Sequence, residues 1–150
     1  MQYLDLKLHA LDEHGDKKEF KLSDFKGKNI VLYFYPKDET PICTEEAVSF
    51  NESLEKFPKD TVVIGVSADD VESHLNFMEK LGLKFKLLSD KEHKLKAAIE
   101  DFVKRNLKYD KLAERATVII NKDGHIAKAW CDVDVNGHVE EIIEYLNNQG

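Results

Sequence analysis

An α/β layered sheet is the fold class that the sequence predicts, on three observations. Two continuous apolar runs, residues 30–35 and T-V-V-I-G-V-S at 61–67, read as buried strands of the parallel type. Each run is followed by a segment whose apolar residues recur at helical spacing. Near the C-terminus, residues 117–120 and 125–135 flank the turn N-K-D-G, the pattern of a long antiparallel hairpin. Strands that alternate with helices, closed by a hairpin and a last helix, bury their apolar faces as helices packed on a sheet.

Taken in order, Leu4, Leu6 and Leu8 alternate with polar residues, D-E-H-G-D turns, and K-E-F-K-L returns, which predicts an N-terminal β-hairpin. L-S-D-F-K-G is a capped turn that leads into the strand at 30–35. Pro36 stops that strand, and Thr40 as N-cap with Pro41 at the first helical position starts a helix that ends near Pro58. After the strand at 61–67, Val71, Leu75 and Met78 mark an amphipathic helix begun by Asp69 or Asp70 and ended at Gly82. Leu87 and Leu88 form a short strand, and Leu95, Ala98, Ile99 and Phe102 mark another helix. Residues 107–114 show no period and read as a loop. Val139, Ile142, Ile143 and Leu146 form the closing helix. There is no internal repeat or linker, so residues 1–150 are expected to form a single domain.

The chain is organised around the passage from Tyr33 to Phe57. Cys43 falls at the third helical position, where unpaired N–H groups and the helix dipole favour an anion. A thiol there is biased toward thiolate, the reactive form. Cys43, Ala47, Phe50, Leu54 and Phe57 follow spacings of 4, 3, 4 and 3, so the sulfur faces the sheet from the first turn. Helix geometry alone leaves two readings open, a reactive thiol and a small buried residue that begins a core stripe.

Composition removes other classes. The net charge is −7 and 34% of residues are charged, with Lys interleaved among Asp and Glu, so no basic footprint for nucleic acid is expected. M-Q-Y-L-D-L-K-L-H carries no apolar block of a leader, and no run reaches the length of a membrane span. Two distant cysteines are not a secreted disulfide framework, which points to a reducing, cytoplasmic setting. The six histidines, His9, His14, His74, His93, His125 and His138, lack metal spacing, so no metal or other cofactor is expected.

P-K-D-E-T-P-I-C-T-E-E-A resembles the peroxidatic signature of the peroxiredoxins, a Pro, three residues, Thr, two residues and Cys. The wider match resembles the bacterioferritin comigratory protein (peroxiredoxin Q) subfamily. It runs through L-S-D-F-K-G-K, G-V-S-A-D-D-V-E-S-H, L-K-F-K-L-L-S-D, E-R-A-T-V-I-I-N-K-D-G and the W…V-N-G-H tail, in family order over nearly the whole chain. The resemblance implies a thioredoxin-like fold of the peroxiredoxin type, a central mixed β-sheet flanked by helices. It also implies a thiol-dependent peroxidase that acts on hydrogen peroxide and organic hydroperoxides through a Cys43 sulfenic acid. Cys43 is then the nucleophile, Thr40 and Arg115 surround it, and Pro36 shields the thiolate. Glu46 matches the family's acidic residue one turn on, to steady Arg115 or to lie on the helix surface. Thr117 matches the residue that replaces the thioredoxin cis-proline, and Tyr35 belongs to the pocket wall or to plain core. Of the two arginines, Arg105 reads as a solvated charge. His74 follows Ser73 as in the family and is given no catalytic role.

The chain departs from the family pattern twice. Val48 stands where many members carry a second cysteine, and Ile42 replaces the glycine often found before the peroxidatic Cys, which adds bulk at the pocket rim. Cys131 is left as the one resolving candidate. The alternation of Ala127, Ala129, Cys131, Val133 and Val135 makes it a core-facing strand residue, buried and inert, so recycling by an external thiol is expected. Thioredoxin, glutaredoxin or a small thiol would serve, and the expected assembly is a monomer or weak dimer. A thioredoxin-type oxidoreductase fits poorly, because Cys-x-x-Cys is missing and the prolines are only Pro36, Pro41 and Pro58. No local signature supports a cysteine hydrolase. The alternative from another class is a peroxide sensor or thiol-binding module that uses Cys43 without efficient turnover.

Overall fold

The computed structural model describes residues 1–149. In chain order its elements are α1 (Gln2–Asp5), β1 (Leu8–Leu11), β2 (Lys17–Phe20), β3 (Asn29–Phe34), α2 (Pro41–Glu52), β4 (Thr61–Ser67), α3 (Val71–Leu81), β5 (Lys86–Ser89), α4 (Lys94–Asn106), β6 (Ala116–Ile120), β7 (Ile126–Trp130) and α5 (His138–Asn147). Single turns of 3-10 helix at Leu22–Phe25 and Leu54–Lys56 complete the chain. The strands form one seven-stranded mixed sheet, ordered β2-β1-β5-β4-β3-β6-β7. β3, β4 and β5 run parallel, and β6, β7, β1 and β2 pair antiparallel on either side of them. The expected mixed, helix-flanked sheet with an N-terminal hairpin is the fold observed.

Successive side chains of a strand point to opposite faces, so this sheet builds two cores. On one face Ile30, Leu32, Phe34, Ile64, Val66, Val118 and Ile120 pack against Leu95, Ile99 and Val103 of α4. On the other, Val31, Tyr33, Tyr35, Val63, Leu87 and Ile119 meet Ala47 and Phe50 of α2, Phe77 and Met78 of α3, and Val139 and Ile142 of α5. Both faces are covered, which is why the central strands read as unbroken apolar runs. Gly65 makes room on the second face: a Cβ there would lie 3.0 Å from Tyr33 Cζ and 2.9 Å from Leu87 Cδ2. The Tyr33 ring rests in that space and stacks on Phe50 at 4.4 Å, which seats α2 on the sheet.

Three local expectations need correction. The N-terminal hairpin starts at Leu8, because residues 2–5 form a helical turn whose Tyr3 hydroxyl donates to the Gly124 carbonyl at 2.8 Å. The helix expected to reach Pro58 ends at Glu52, and Leu54 and Phe57 keep their apolar contacts from the 3-10 turn and its exit. The C-terminal hairpin is shorter than residues 125–135: β7 ends at Trp130. A bulge opposite Ile119 and Ile120 inserts Ala127 as an extra residue, so Ala127 is exposed while Ala129 is buried.

Cys131 therefore lies just past the strand, half-buried rather than in a strand core. Its carbonyl accepts from the Ala113 N–H at 2.8 Å, and its thiol points at the Asp110 carbonyl, 3.6 Å away. Its side chain packs on the α4 face of the sheet, whereas Cys43 belongs to the α2 face. Both thiols are free, and burial pushes the Cys131 thiol up from its ordinary value.

Candidate active site

The site is built where β3 hands over to α2. Tyr35 N–H donates to the Val66 carbonyl at 3.0 Å, which carries the parallel ladder one residue past β3. Pro36 then ends the pairing and lies exposed, lining a small hollow of about 110 Å³ with Phe34, Val66, Ser67, His93 and Glu114. The chain turns through Glu39, held at φ 62°, and Thr40 takes up the extended geometry of an N-cap (φ −90°, ψ 155°).

The Thr40 hydroxyl does not cap the helix. It donates instead to the Lys37 carbonyl at 2.8 Å. Its one hydrogen is spent there, so its lone pairs are what it offers to the pocket. The first intrahelical bond runs from Thr44 N–H to the Thr40 carbonyl at 2.9 Å. The N–H groups of Ile42 and Cys43 precede it and find no partner among the described residues. The rotor of Thr40 thus leaves open the helix end that an ordinary N-cap would close.

Cys43 is 2% exposed and packs within the α2-side core. Arg115 stands just before β6, and the pairing of Phe34 with Ala116 brings it beside the end of β3. From there its Nη2 reaches Cys43 Sγ at 3.3 Å and its Nη1 donates to Glu46 Oε1 at 2.7 Å. One guanidinium joins the sulfur to a carboxylate one turn further along α2, and its planar fork suits two acceptors at once. The Arg115 side chain is 14% exposed, so the group that meets the buried sulfur keeps some contact with solvent. Arg105, by contrast, is exposed and pairs with Asp101 on its own helix at 2.9 Å.

Glu46 is buried, which excludes the helix-surface alternative, and its Oε2 has no partner among the described residues. Burial pushes its carboxyl up to about 7, against the hydrogen bond and charge of Arg115. The sulfur and Glu46 in turn hold the Arg115 guanidinium above its ordinary value. A raised native value means that protonation stabilises the fold. That stability is fully present below the unfolded carboxyl value and is lost as pH rises through about 7. Glu46→Gln keeps an acceptor for Arg115 and removes the charge. The variant is expected to be more stable than the parent above pH 7, by up to about 3 kcal/mol, and to lose that advantage below about pH 4. Denaturant unfolding at three pH values measures it, and a difference independent of pH would refute it.

The remaining expected residues fall around this centre. Thr117 is fully buried, opposite Tyr33 in the β3–β6 register, two residues beyond Arg115. Its hydroxyl lies 2.9 Å from Nε2 of His138, a buried residue at the start of α5 that was not singled out from the sequence. Burial holds the His138 imidazole below its usual value. Tyr35 belongs to the α2-side core as a pocket wall would, and its hydroxyl donates to Asp38 Oδ1 at 2.6 Å. Asp38, Asp69 and His74 converge with polar atoms within 4.8 Å of one another, a grouping that histidine spacing along the chain could not reveal. Ile42 is 49% exposed, an apolar side chain at the rim beside the sulfur.

The AhpC/TSA family model matches residues 2–129. The chain is 47% identical over 147 residues to the peroxiredoxin Bcp of Bacillus subtilis (strain 168), covering 96% of this chain and 91% of that one. It is 38% identical over 135 residues to the chloroplastic peroxiredoxin Q of Gentiana triflora, covering 89% of this chain and 61% of the other. Among solved structures, the bacterioferritin comigratory protein of Xanthomonas campestris, studied for its alkyl peroxide reduction activity, matches with a TM-score of 0.84 at 34% identity. That match covers 98% of this chain and 93% of the other.

Proposed function

The chain belongs to the AhpC/TSA family and is a peroxiredoxin, a thiol-dependent peroxidase, and we propose that its attacking sulfur is Cys43. The observation that carries this reading is the 3.3 Å approach of Arg115 Nη2 to Cys43 Sγ, at a helix end whose N–H groups are left open. The guanidinium donates to the sulfur that attacks, and the same donors meet charge as it develops on peroxide oxygen.

The thiolate attacks the terminal oxygen of a hydroperoxide. An S–O bond forms, the O–O bond breaks, and the other oxygen leaves as alkoxide or hydroxide and takes a proton from water. Thr40, its hydrogen committed to Lys37, accepts from the O–H of the peroxide and so turns that oxygen toward the sulfur. The N–H groups of Ile42 and Cys43, with Arg115, stabilise the departing negative charge. Glu46 orients Arg115, Pro36 fixes the turn that leads into α2, and Tyr35 and Thr117 shape the wall. Hydrogen peroxide and organic hydroperoxides are the substrates.

Recycling proceeds with one cysteine. An external thiol attacks the sulfenic acid, releases water and leaves a mixed disulfide, which a second thiol resolves. The position of Cys131 on the opposite face of the sheet supports this route, since a disulfide needs the two Cα atoms within about 7 Å. The reductant is thioredoxin, glutaredoxin or a small thiol in a reducing compartment such as the cytoplasm. No helix among the described residues is long and apolar enough to cross a membrane. The chain works as one domain, a monomer or weak dimer. Its outer strand β2 carries Lys17, Lys18 and Glu19, charges that discourage edge-to-edge pairing.

Mass spectrometry of peroxide-treated protein tests the reading: one added oxygen on the Cys43 peptide, replaced by an adduct when a trapping thiol is present. Repeated turnovers with a thiol reductant are expected, whereas a single burst that leaves stable oxidised protein would favour a sensor. Cys131→Ser is expected to keep full turnover with each reductant. Its loss, together with a Cys43–Cys131 linked peptide in the parent, would overturn the one-cysteine route.

A further inference from the structure

Between Pro36 and Cys43 the chain is tied down by a buried polar cluster. Asp38 accepts from the Tyr35 hydroxyl at 2.6 Å on Oδ1, and from the Ser73 hydroxyl at 2.9 Å on Oδ2. His74, with no exposed surface, places Nδ1 2.7 Å from the same Oδ2. The other ring nitrogen, Nε2, lies 2.9 Å from the Leu88 carbonyl of β5. A carbonyl only accepts, so Nε2 carries a hydrogen, and the Nδ1···Oδ2 contact then needs a proton between two groups that could otherwise both be acceptors. A single hydrogen then bridges Nδ1 and Oδ2 inside the core. The Asp38 N–H is fixed as well, donating at 2.8 Å to Asp69 Oδ2, which also accepts from the Ser67 hydroxyl at 2.7 Å.

These bonds converge on the residue just before Glu39, whose φ of 62° is unfavourable for a side chain other than glycine. Such a conformation persists only where its surroundings hold it, and directly after it come Thr40 and the open first turn of α2. The side-chain oxygens of Asp38, both ring nitrogens of His74 and Oδ2 of Asp69 are committed to one another and to their neighbours, so the cluster acts as an anchor.

We propose that His74 is a positioning residue for peroxide reduction: through Asp38 it holds the strained turn that sets Thr40 and Cys43 against Arg115. This rests on Cys43 being the attacking sulfur. His74→Leu leaves Asp38 without its principal partner, and kcat/KM for peroxide is expected to fall about ten- to a hundredfold, the scale of a misplaced reacting group. Alkylation of Cys43 at a fixed neutral pH slows with it. His74→Asn, whose amide can occupy the Nδ1 position as a donor to Asp38, is expected to regain most of the lost rate. Val103→Ala, a cavity on the opposite face of the sheet, serves as the control for general destabilisation and keeps the parental rate.

A His74→Leu protein with parental kcat/KM and alkylation rate, lowered only in melting temperature, overturns the proposal, as does an equal loss of rate in Val103→Ala. Should His74→Leu fail to fold, Tyr35→Phe removes a single donor from Asp38, and a parental rate in that variant is equally contrary. Turnover retained by Cys43→Ser would remove the underlying reading. An inactive Cys43→Ser beside a fully active His74→Leu would remove only this one.

Discussion

Cys43→Ser is expected to abolish peroxide reduction, leaving only the slow reaction of peroxide with the reductant itself. The exchange is nearly isosteric at a buried position, and Arg115 Nη2 can donate to the hydroxyl as it does to the sulfur, so the fold should survive. What disappears is the chemistry. A hydroxyl is scarcely ionised at neutral pH, and its oxygen cannot take up another oxygen to form an analogue of sulfenic acid. Peroxide consumption coupled to thiol oxidation measures the loss, with circular dichroism to show that structure is kept. Turnover in a folded Cys43→Ser protein would move the reaction elsewhere in the chain.

Arg115→Ala carries the next largest effect, a fall in kcat/KM of about 10²–10³-fold, the scale of removing one preorganised donor from a developing anion. The variant also strips Glu46 of its partner, and a buried carboxylate left alone destabilises the fold. The double variant Arg115→Ala with Glu46→Gln separates the two effects: it should recover stability without recovering rate. Arg115→Lys keeps a charge but not the fork that holds sulfur and carboxylate together, so only partial activity is expected. Arg105→Ala, whose side chain meets only Asp101 in solvent, should leave both rate and stability unchanged. If the two alanine variants behave alike, the assignment of Arg115 is wrong.

The parts legible in the sequence are those fixed by short-range pattern. The apolar runs of β3 and β4, Pro41 at the head of α2 and the four–three spacing that turns Cys43 inward all depend on neighbours within a few residues. Arg115 was legible for a different reason: the family resemblance marked it out of the two arginines. Hidden from the sequence were contacts between distant positions. Asp38 and His74 are 36 residues apart, and Thr117 and His138 are 21 apart, so no local spacing links them. Glu46 sits three residues after Cys43 and four before Phe50, on the same inward face of α2, and its charge alone made the surface alternative attractive. Cys131 was misplaced because β7 ends at Trp130, one residue short of it, although the alternation of apolar residues continues. Thr40 stands at the N-cap as its type predicts, but its hydroxyl turns to donate to the Lys37 carbonyl instead of accepting from the helix N–H groups.

That rotated threonine has a thermodynamic side. A capped helix is finished when the chain folds; α2 is finished only when something else brings an acceptor to the N–H groups of Ile42 and Cys43. Part of the stability of the first turn is thus linked to occupancy, and molecules that bind there shift the folding equilibrium toward the ordered turn by mass action. The sequence change that a protein engineer would choose first, a stronger capping side chain at position 40 worth about 1 kcal/mol, would place a permanent occupant where the peroxide must come. Selection for peroxide turnover and selection for thermal endurance therefore pull this one residue in opposite directions.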